Sequence, residues 1–324
     1  MNPRVSSEDK VVREIQSAFV GQRSGSLRVG MGDDAALWQA GRGQETILTC
    51  DWFLEGTHFL RDKHPPDAVG WKSLARAASD IAAMGGTPRC FLLSLTLPAD
   101  CTGKWLRSFL RGLRRASRAL RCELAGGDTT RRNEILINTA VIGEIPAGHA
   151  VLRSGARGGD LLYVSGTLGE AELGLRELRR QRGMAKVSSN SFLRKHLYPE
   201  PRFALGQWLA KNRLATAMMD LSDGLSSDLP RLCLESGVGA RIEACSLPCL
   251  TRSHAKDATE LALNGGDDYE LLFAVRPKDA SKIETKFRGL PLTRIGEITR
   301  EKKVLVEQHG RSRPLISAGW DPFR

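Results

Sequence analysis

The sequence predicts an α/β protein with mixed α+β sheets, arranged as two domains. Three observations lead there. The chain has 324 residues, more than the usual single domain, so two units of about 150 residues are expected. Helical and strand patterns alternate from end to end. Near the middle, Glu144 to Arg153 carries Pro146 and Gly148 with weak periodicity, which marks a boundary near residue 148 and domains of 1–148 and 149–324. Hydrophobic residues make up 41% of the chain, enough to fill two cores and too many for a disordered protein.

The elements follow in order. Ile47 to Phe53 and Phe91 to Leu97 are short apolar runs of strand formers, the second stopped by Pro98. Between them, Pro66 to Met84 puts Val69, Leu74, Ala77, Ala78 and Ile81 on one side of a helix. Lys104 to Arg121 is an amphipathic helix: Leu106, Phe109, Leu110, Leu113 and Leu120 form one stripe, and seven Lys and Arg residues the other. Glu134 to Ile142 alternates as a strand and ends at Gly143. In the second half, Asp160 to Ser165, Gly239 to Glu243 and Tyr269 to Val275 read as strands. Ala171 to Arg180, Arg202 to Asn212 and Asp228 to Glu235 read as helices, and Ser188 to Pro201 as a loop. Arg176 to Lys186 reads as a solvated helix end running into a polar loop. The tail holds Gly319-Trp320-Asp321, an aromatic in a polar setting.

Composition excludes several function classes. No run of about 18 apolar residues occurs, so no membrane helix is expected. Met1 to Gln22 lacks the apolar core of a signal peptide. The seven cysteines are scattered without a C-x-x-C, and the six histidines form no H-E-x-x-H. Reduced thiols in a cytoplasmic protein, with no zinc site, are the expectation. The formal charge of +11 suits anionic partners. The basic face of 104–121 has no interleaved aromatics and matches no nucleic-acid module, so it reads as a solvated face and no nucleic-acid partner is expected.

The chemistry sits in aspartates beside glycines. They are Gly32-Asp33-Asp34-Ala35, Cys50-Asp51, Ser79-Asp80, Gly126-Gly127-Asp128-Thr129-Thr130, Asp220-Leu221-Ser222-Asp223-Gly224 and Gly265-Gly266-Asp267-Asp268-Tyr269-Glu270. A single Asp after Gly is usually a turn or a helix cap. Six such segments are more than turns require. Carboxylates that converge raise one another's pKa unless a cation intervenes. Oxygen ligands without His or Cys favour Mg²⁺, and Mg²⁺ commonly completes its shell with water and substrate phosphates. Glycines let backbone N–H groups approach those phosphates. No Walker A sequence and no protein-kinase signature set is present. Gly30-Met31-Gly32-Asp33-Asp34-Ala35 has dinucleotide-fold spacing. Its two carboxylates would sit where a pyrophosphate must lie, and no clean strand leads into it, so that reading is rejected.

These segments resemble those of the thiamine-monophosphate kinases, within the superfamily of aminoimidazole ribonucleotide synthetase and selenophosphate synthetase. The resemblance runs from Gly32 to Trp320 through GDDAA at 32–36, DWFLEGTHF at 51–59, SDIAAMGGTP at 79–88, GGDTTR at 126–131, RSGARGGDLLYVSG at 153–166, MDLSDGLSSDL at 219–229 and GGDDYEL from Gly265 to Leu271. It implies an aminoimidazole ribonucleotide synthetase-like fold of two α/β domains, with the N-terminal domains paired in a homodimer. It implies ATP and thiamine monophosphate as substrates and direct phosphoryl transfer, without a phosphoenzyme, giving ADP and thiamine diphosphate, the last step in making that cofactor. By position, Asp34, Asp51, Asp80, Asp128 and Asp220 match family magnesium ligands, as do Thr49 with Cys50, and Asp223. Gly127, Asp128, Arg153 and Ser222 match ATP contacts, with Arg153 a stabiliser of charge. His58, Asp267 and Trp320 match substrate positions.

Two departures stand out. Cys50 replaces a hydroxyl, and a thiol is a poor magnesium ligand, so that contact requires the backbone carbonyl. Asp267 stands where glutamate is common. The acceptor is already an anion, so no residue is needed as general base. Mutual repulsion of two anions is the obstacle, to be offset by several Mg²⁺ ions and Arg153. His58 would orient the acceptor. Two other readings compete: a related synthetase phosphorylating an amide or selenide, and a non-catalytic nucleotide- or nucleic-acid-binding protein. The E-G-T-H segment, the C-terminal Trp and the absence of a reactive Cys before the first Gly-Asp-Asp argue against the first. The retained acids argue against the second.

Overall fold

The computed structural model describes residues 7–20, 26–31, 35–187, 191–249, 257–308 and 310–323. It separates into two compact units, one of Met1–Ile81, Thr87–Ala147 and Leu178–Lys186, the other of Ala82–Gly86, Gly148–Glu177 and Val187–Arg324. All seven cysteines are free thiols. Among the described residues no helix is long and apolar enough to cross a membrane.

The first unit is built on a four-stranded sheet. Its strands are β3 (Gln44–Leu54), β4 (Thr87–Leu97), β5 (Glu123–Arg131) and β6 (Leu136–Pro146), in the order β3-β6-β4-β5. β6 runs antiparallel to both neighbours, while β4 and β5 are parallel, as the crossover through a helix requires. The alternation of β3 divides its side chains. Ile47, Thr49, Asp51 and Phe53 face α2 (Pro66–Ala83), whose Arg76 and Asp80 reach Asp51 and Thr49. Leu48, Cys50 and Trp52 face the other way and are exposed. α3 (Lys104–Leu120) packs on α2. The two helices cross so closely that a Cβ on Gly112 would lie 1.8 Å from the Asp67 carbonyl oxygen, which only glycine permits. Leu106, Phe109, Leu110 and Leu113 of α3 are buried, as its pattern predicts.

Before this sheet lie α1 (Ser7–Ala18) and a small hairpin of β1 (Leu27–Val29) and β2 (Leu37–Trp38). Leu27 and Trp38 pack with Cys90, Ala125 and Ile142. The expectation that no strand precedes Gly30 is therefore corrected: β1 does. It is three residues long and antiparallel to β2, so it does not form the parallel βαβ unit of a dinucleotide site.

The second unit holds a mixed eight-stranded sheet. β7 (Leu161–Ser165) and β10 (Glu270–Val275) pair toward one end of it, with β8 (Ala215–Leu221) beyond β10 at the edge. On the other side come β12 (Leu290–Thr299), β9 (Gly239–Glu243), β13 (Val304–Gln308) and β14 (Arg311–Pro314), with β11 (Lys286–Phe287) paired to β12. Only β9 and β13 are parallel. Leu162, Val164, Met219, Ile242, Leu272 and Ile295 face one core with Leu229 and Leu232 of α7 (Leu225–Ser236). On the opposite face Tyr163 and Phe273 stack, with ring centroids 5.5 Å apart. The remaining helices are α4 (Glu170–Arg180), α5 (Ser191–Leu197), α6 (Phe203–Lys211) and α8 (Ala258–Asn264).

α5 corrects the loop expected over Ser188 to Pro201. Its buried stripe is Leu193, His196 and Leu197. A histidine in that stripe, beside Arg194 and Lys195, hides the apolar period. α1, β5 and β8 were likewise unread as elements. The last two carry Gly126-Gly127-Asp128 and Asp220 inside strands.

Candidate active site

In the first unit, the face of β3 toward α2 is polar where a core would be apolar. Thr49 Oγ1 donates to Asp80 Oδ2 at 2.5 Å, and Arg76 Nε to Asp51 Oδ2 at 3.1 Å. Arg76 also lies over the Phe53 ring, 5.4 Å from its centroid. Next to these acids Ser79 Oγ and Thr139 Oγ1 are buried with no hydrogen-bond partner among the described residues. Thr139 sits opposite Asp51 in the β3–β6 register. Such orphaned hydroxyls are uncommon in a plain core.

Asp128 belongs to the other face. The row Trp52, Asn138, Ser94, Asp128 runs across the sheet in register, so Asp128 shares its side with Cys50 rather than with Asp51. A cavity of about 750 Å³ opens there. Gly126 to Thr129, Leu92, Ser94, Gly30 and Val12 are among its walls. A side chain at Gly127 would bring its Cβ within 1.9 Å of the Leu93 carbonyl oxygen. Glycine there lets β5 lie close against β4 and leaves its backbone bare toward the cavity.

The loop after β3 fixes His58. Glu55 accepts from Ile135 N at 2.9 Å and pairs with Arg61 at 3.0 Å. Gly56 turns with φ of +82°, and Leu54 N–H donates to His58 Nδ1 at 3.0 Å. The ring's proton therefore sits on Nε2, which makes that nitrogen a donor.

In the second unit the loop after β8 is held from beneath. Asp228, fully buried in α7, accepts from Ser222 N and Asp223 N through Oδ2, each at 3.0 Å. Arg231 bridges Asp228 and Asp223. Burial, followed by the neighbouring Asp223 charge, pushes the Asp228 carboxyl up to about 6. Asp267 and Trp320 come to the same loop. Asp267 N donates to Ser222 O at 2.8 Å, and Trp320 N to Asp223 O at 2.9 Å. The structure thus brings Ser222, Asp223, Asp267 and Trp320 together. Asp220 is buried one residue short of the end of β8. Asp267 takes a left-handed conformation, φ +67°, and Tyr269 does too, at +50°. Tyr269 OH donates to Asp267 Oδ1 at 2.9 Å, and His196 Nδ1 lies 3.6 Å from Oδ2. Arg153 begins a short turn whose carbonyl accepts from Ser236, and its own side chain is exposed.

Not every expected residue gathers. Cys50 points away from Thr49 and Asp51. Asp34 lies outside the described residues. Among the described residues no three His, Cys, Asp or Glu side chains cluster tightly enough to hold a metal by themselves. Sequence reasoning missed the supports: Arg76, Asp228, Arg231, His196 and Tyr269. Only Asp228 had a signal, an acid in the first turn of a helix that follows Ser-Asp-Gly.

Comparison with known proteins bears on the same segments. Residues 32–145 match the AIR synthase related protein N-terminal domain, and residues 157–308 its C-terminal domain. The chain is 38% identical over 305 residues to the thiamine-monophosphate kinase of Escherichia coli K12, covering 92% of each. The crystal structure of thiamine-monophosphate kinase from Stenotrophomonas maltophilia superposes with a TM-score of 0.80 at 34% identity, over 94% of this chain and 98% of that one. AaThiL complexed with AMPPCP and TMP superposes with a TM-score of 0.77 at 33% identity, over 90% and 91%. With two matched domains and such identity over nearly its full length, the chain belongs to the thiamine-monophosphate kinase family, built on the AIR synthase related fold.

Proposed function

We propose that this protein is a kinase that transfers the γ-phosphoryl group of ATP to thiamine monophosphate, giving thiamine diphosphate and ADP. The observation that carries the reading is the 750 Å³ cavity against Gly126 to Thr129, present in a chain that belongs to a family of such kinases. Bare backbone beside a single carboxylate suits a metal-bound polyphosphate. The AaThiL structure holds an ATP analogue together with TMP, which supports the same pair of substrates here.

Catalysis is assigned to positioning and charge neutralisation. Asp128 beside the cavity, and Thr49, Asp51 and Asp80 on the α2 side of the sheet, offer only oxygen donors of the kind Mg²⁺ takes; Asp34 is added by its place in the motif, and in the second unit Asp220 and Asp223 offer oxygens of the same kind. Bound Mg²⁺ supplies neutralisation of the phosphate charges. Gly127 and Ser222 present backbone and hydroxyl groups to ATP, and Arg153 adds a cation. His58 donates through Nε2 and so orients an anionic acceptor without removing a proton from it. Asp267, braced by Tyr269, and Trp320, 43% exposed, suit a cationic heteroaromatic acceptor. The chain works as a cytoplasmic homodimer. Leu48, Trp52 and Leu92, respectively 75%, 54% and 40% exposed, form an open apolar sheet face of the kind that a second copy covers.

The test is ADP release with ATP and Mg²⁺, adding thiamine monophosphate, thiamine or no acceptor. Release that requires thiamine monophosphate, with thiamine diphosphate as product, is expected. Release indifferent to it would move the acceptor to another branch of the superfamily.

A further inference from the structure

The basic face of α3 does not all look into bulk solvent. Beside α1 it walls a groove of about 600 Å³ lined by Arg107, Arg111, Arg114, Arg115 and Arg118, with Glu14 as the one lining acid. Glu14 lies 3.9 Å from Arg107. Arg115 is occupied elsewhere, 3.7 Å from Asp67 and stacked over Trp71. Arg111 donates only to the Ser108 hydroxyl, at 2.9 Å. Arg114 Nε is buried without an acceptor, and neither Arg114 nor Arg118 meets an acid among the described residues. Like charges three and four apart destabilise a helix, so a row at 107, 111, 114 and 118 is a standing cost, and among the described residues only Arg107 meets a counter-charge, Glu14. Buried Leu110 borders the groove, and an apolar wall strengthens the field above it.

We propose that the α1–α3 groove binds a small anion carrying two or three linked phosphates, at a site separate from the cavity beside Gly126 to Thr129. Guanidinium forks pair bidentately with phosphate oxygens. Arg107 to Arg118 span about 16 Å of helix, and the volume is that of a small-ligand pocket. A nucleic-acid strand fits less well. Single strands need aromatic platforms for their bases, and the one aromatic at the exposed start of α3, Trp105, is stacked on Phe109 with centroids 5.4 Å apart.

Calorimetric titration of the full chain with sodium tripolyphosphate, in EDTA so that no divalent ion bridges it to the acids, tests the site. One saturable site is expected, weakening as salt rises. The double variant Arg111→Gln/Arg118→Gln should bind at least about tenfold more weakly, with unchanged turnover and a melting temperature at or above wild type. Arg111→Lys/Arg118→Lys should fall between the two, because charge remains and the fork is lost. Asp128→Asn should bind tripolyphosphate as wild type does. Absence of binding by the wild type, or equal binding by the Gln variant, overturns the proposal. So does tighter binding of a short single-stranded RNA that the Gln variant also loses, which would make the groove a nucleic-acid site. None of these outcomes depends on which acceptor the kinase uses.

Discussion

Asp51 and Cys50 are neighbours in sequence with opposite surroundings. The two-residue period of β3 puts Asp51 against α2, paired with Arg76, and Cys50 on the open face. The strand itself was legible as the apolar run from Ile47 to Phe53, but the division of its faces was not, since the resemblance groups Thr49 with Cys50. The pairing with Arg76 was not, since it depends on how α2 rotates against the sheet. Three predictions follow from this difference. Asp51→Asn should lower turnover by on the order of 100-fold, as loss of a charge-neutralising group does, and raise the Mg²⁺ concentration needed for half-maximal rate. Asp128→Asn should do the same from the other face. Steady-state kinetics over a magnesium series checks both, and near-normal rates in two folded variants would remove the metal assignment. Cys50→Ser should leave turnover within about twofold, because a side chain on the far face cannot share an ion with Thr49 and Asp51. A large loss would show that the side chain at position 50 acts together with Asp128 on the cavity face.

The substrate loops depend on single acids placed at helix N-termini. Asp268 accepts from Gly169 N at 2.7 Å and Ala171 N at 3.2 Å and so caps α4. Burial pushes its carboxyl up to about 8, against those two N–H groups, with Glu270 and Glu170 adding to the rise. An unfolded Asp titrates near its ordinary 3.8. Between these values the folded chain keeps a proton that the unfolded chain releases. The group's contribution is therefore most favourable below pH 4 and is lost as pH rises toward 8. Asp268→Asn keeps a capping oxygen and cannot ionise. It should match wild type near pH 5 and exceed it by at least about 1 kcal/mol near pH 8.5 in denaturant unfolding. A constant difference across that range would place the titration elsewhere. Asp228 carries the loop on the other side. Asp228→Ala strands two N–H groups and half of Arg231's pairing, and should cost about 2–3 kcal/mol while raising KM for ATP. The motif around Asp228 was plain in the sequence, but its role was not. Ser222 and Asp223 look like the working residues, and only the fold reveals that Asp228 holds their backbone. α5 was hidden for a related reason: its inward face includes His196, so hydrophobic counting failed where a polar residue had been drawn into the core.

At the scale of the whole molecule, chain length and an alternating α/β pattern were enough to anticipate two α/β domains, while β5 and β8 were obscured by the glycines and acids that make them useful. The open face of the first sheet decides how complete the chain is alone. Leu48, Trp52 and Leu92 are too exposed to be a core and too close together to be scattered surface apolars. Trp52, Ser94 and Asp128 lie in one register row, and Leu92 and Ser94 also line the cavity at Gly126 to Thr129. A second copy laid on that face would therefore border the same cavity. Leu48→Glu with Trp52→Glu introduces two carboxylates that an apolar contact cannot desolvate. Sedimentation should shift from dimer to monomer, the isolated fold should persist by circular dichroism, and KM for ATP should rise with the loss of one wall. A variant that sediments as the wild type would assign the pairing to another surface. A monomer with unchanged KM would mean that each chain closes its nucleotide cavity without help.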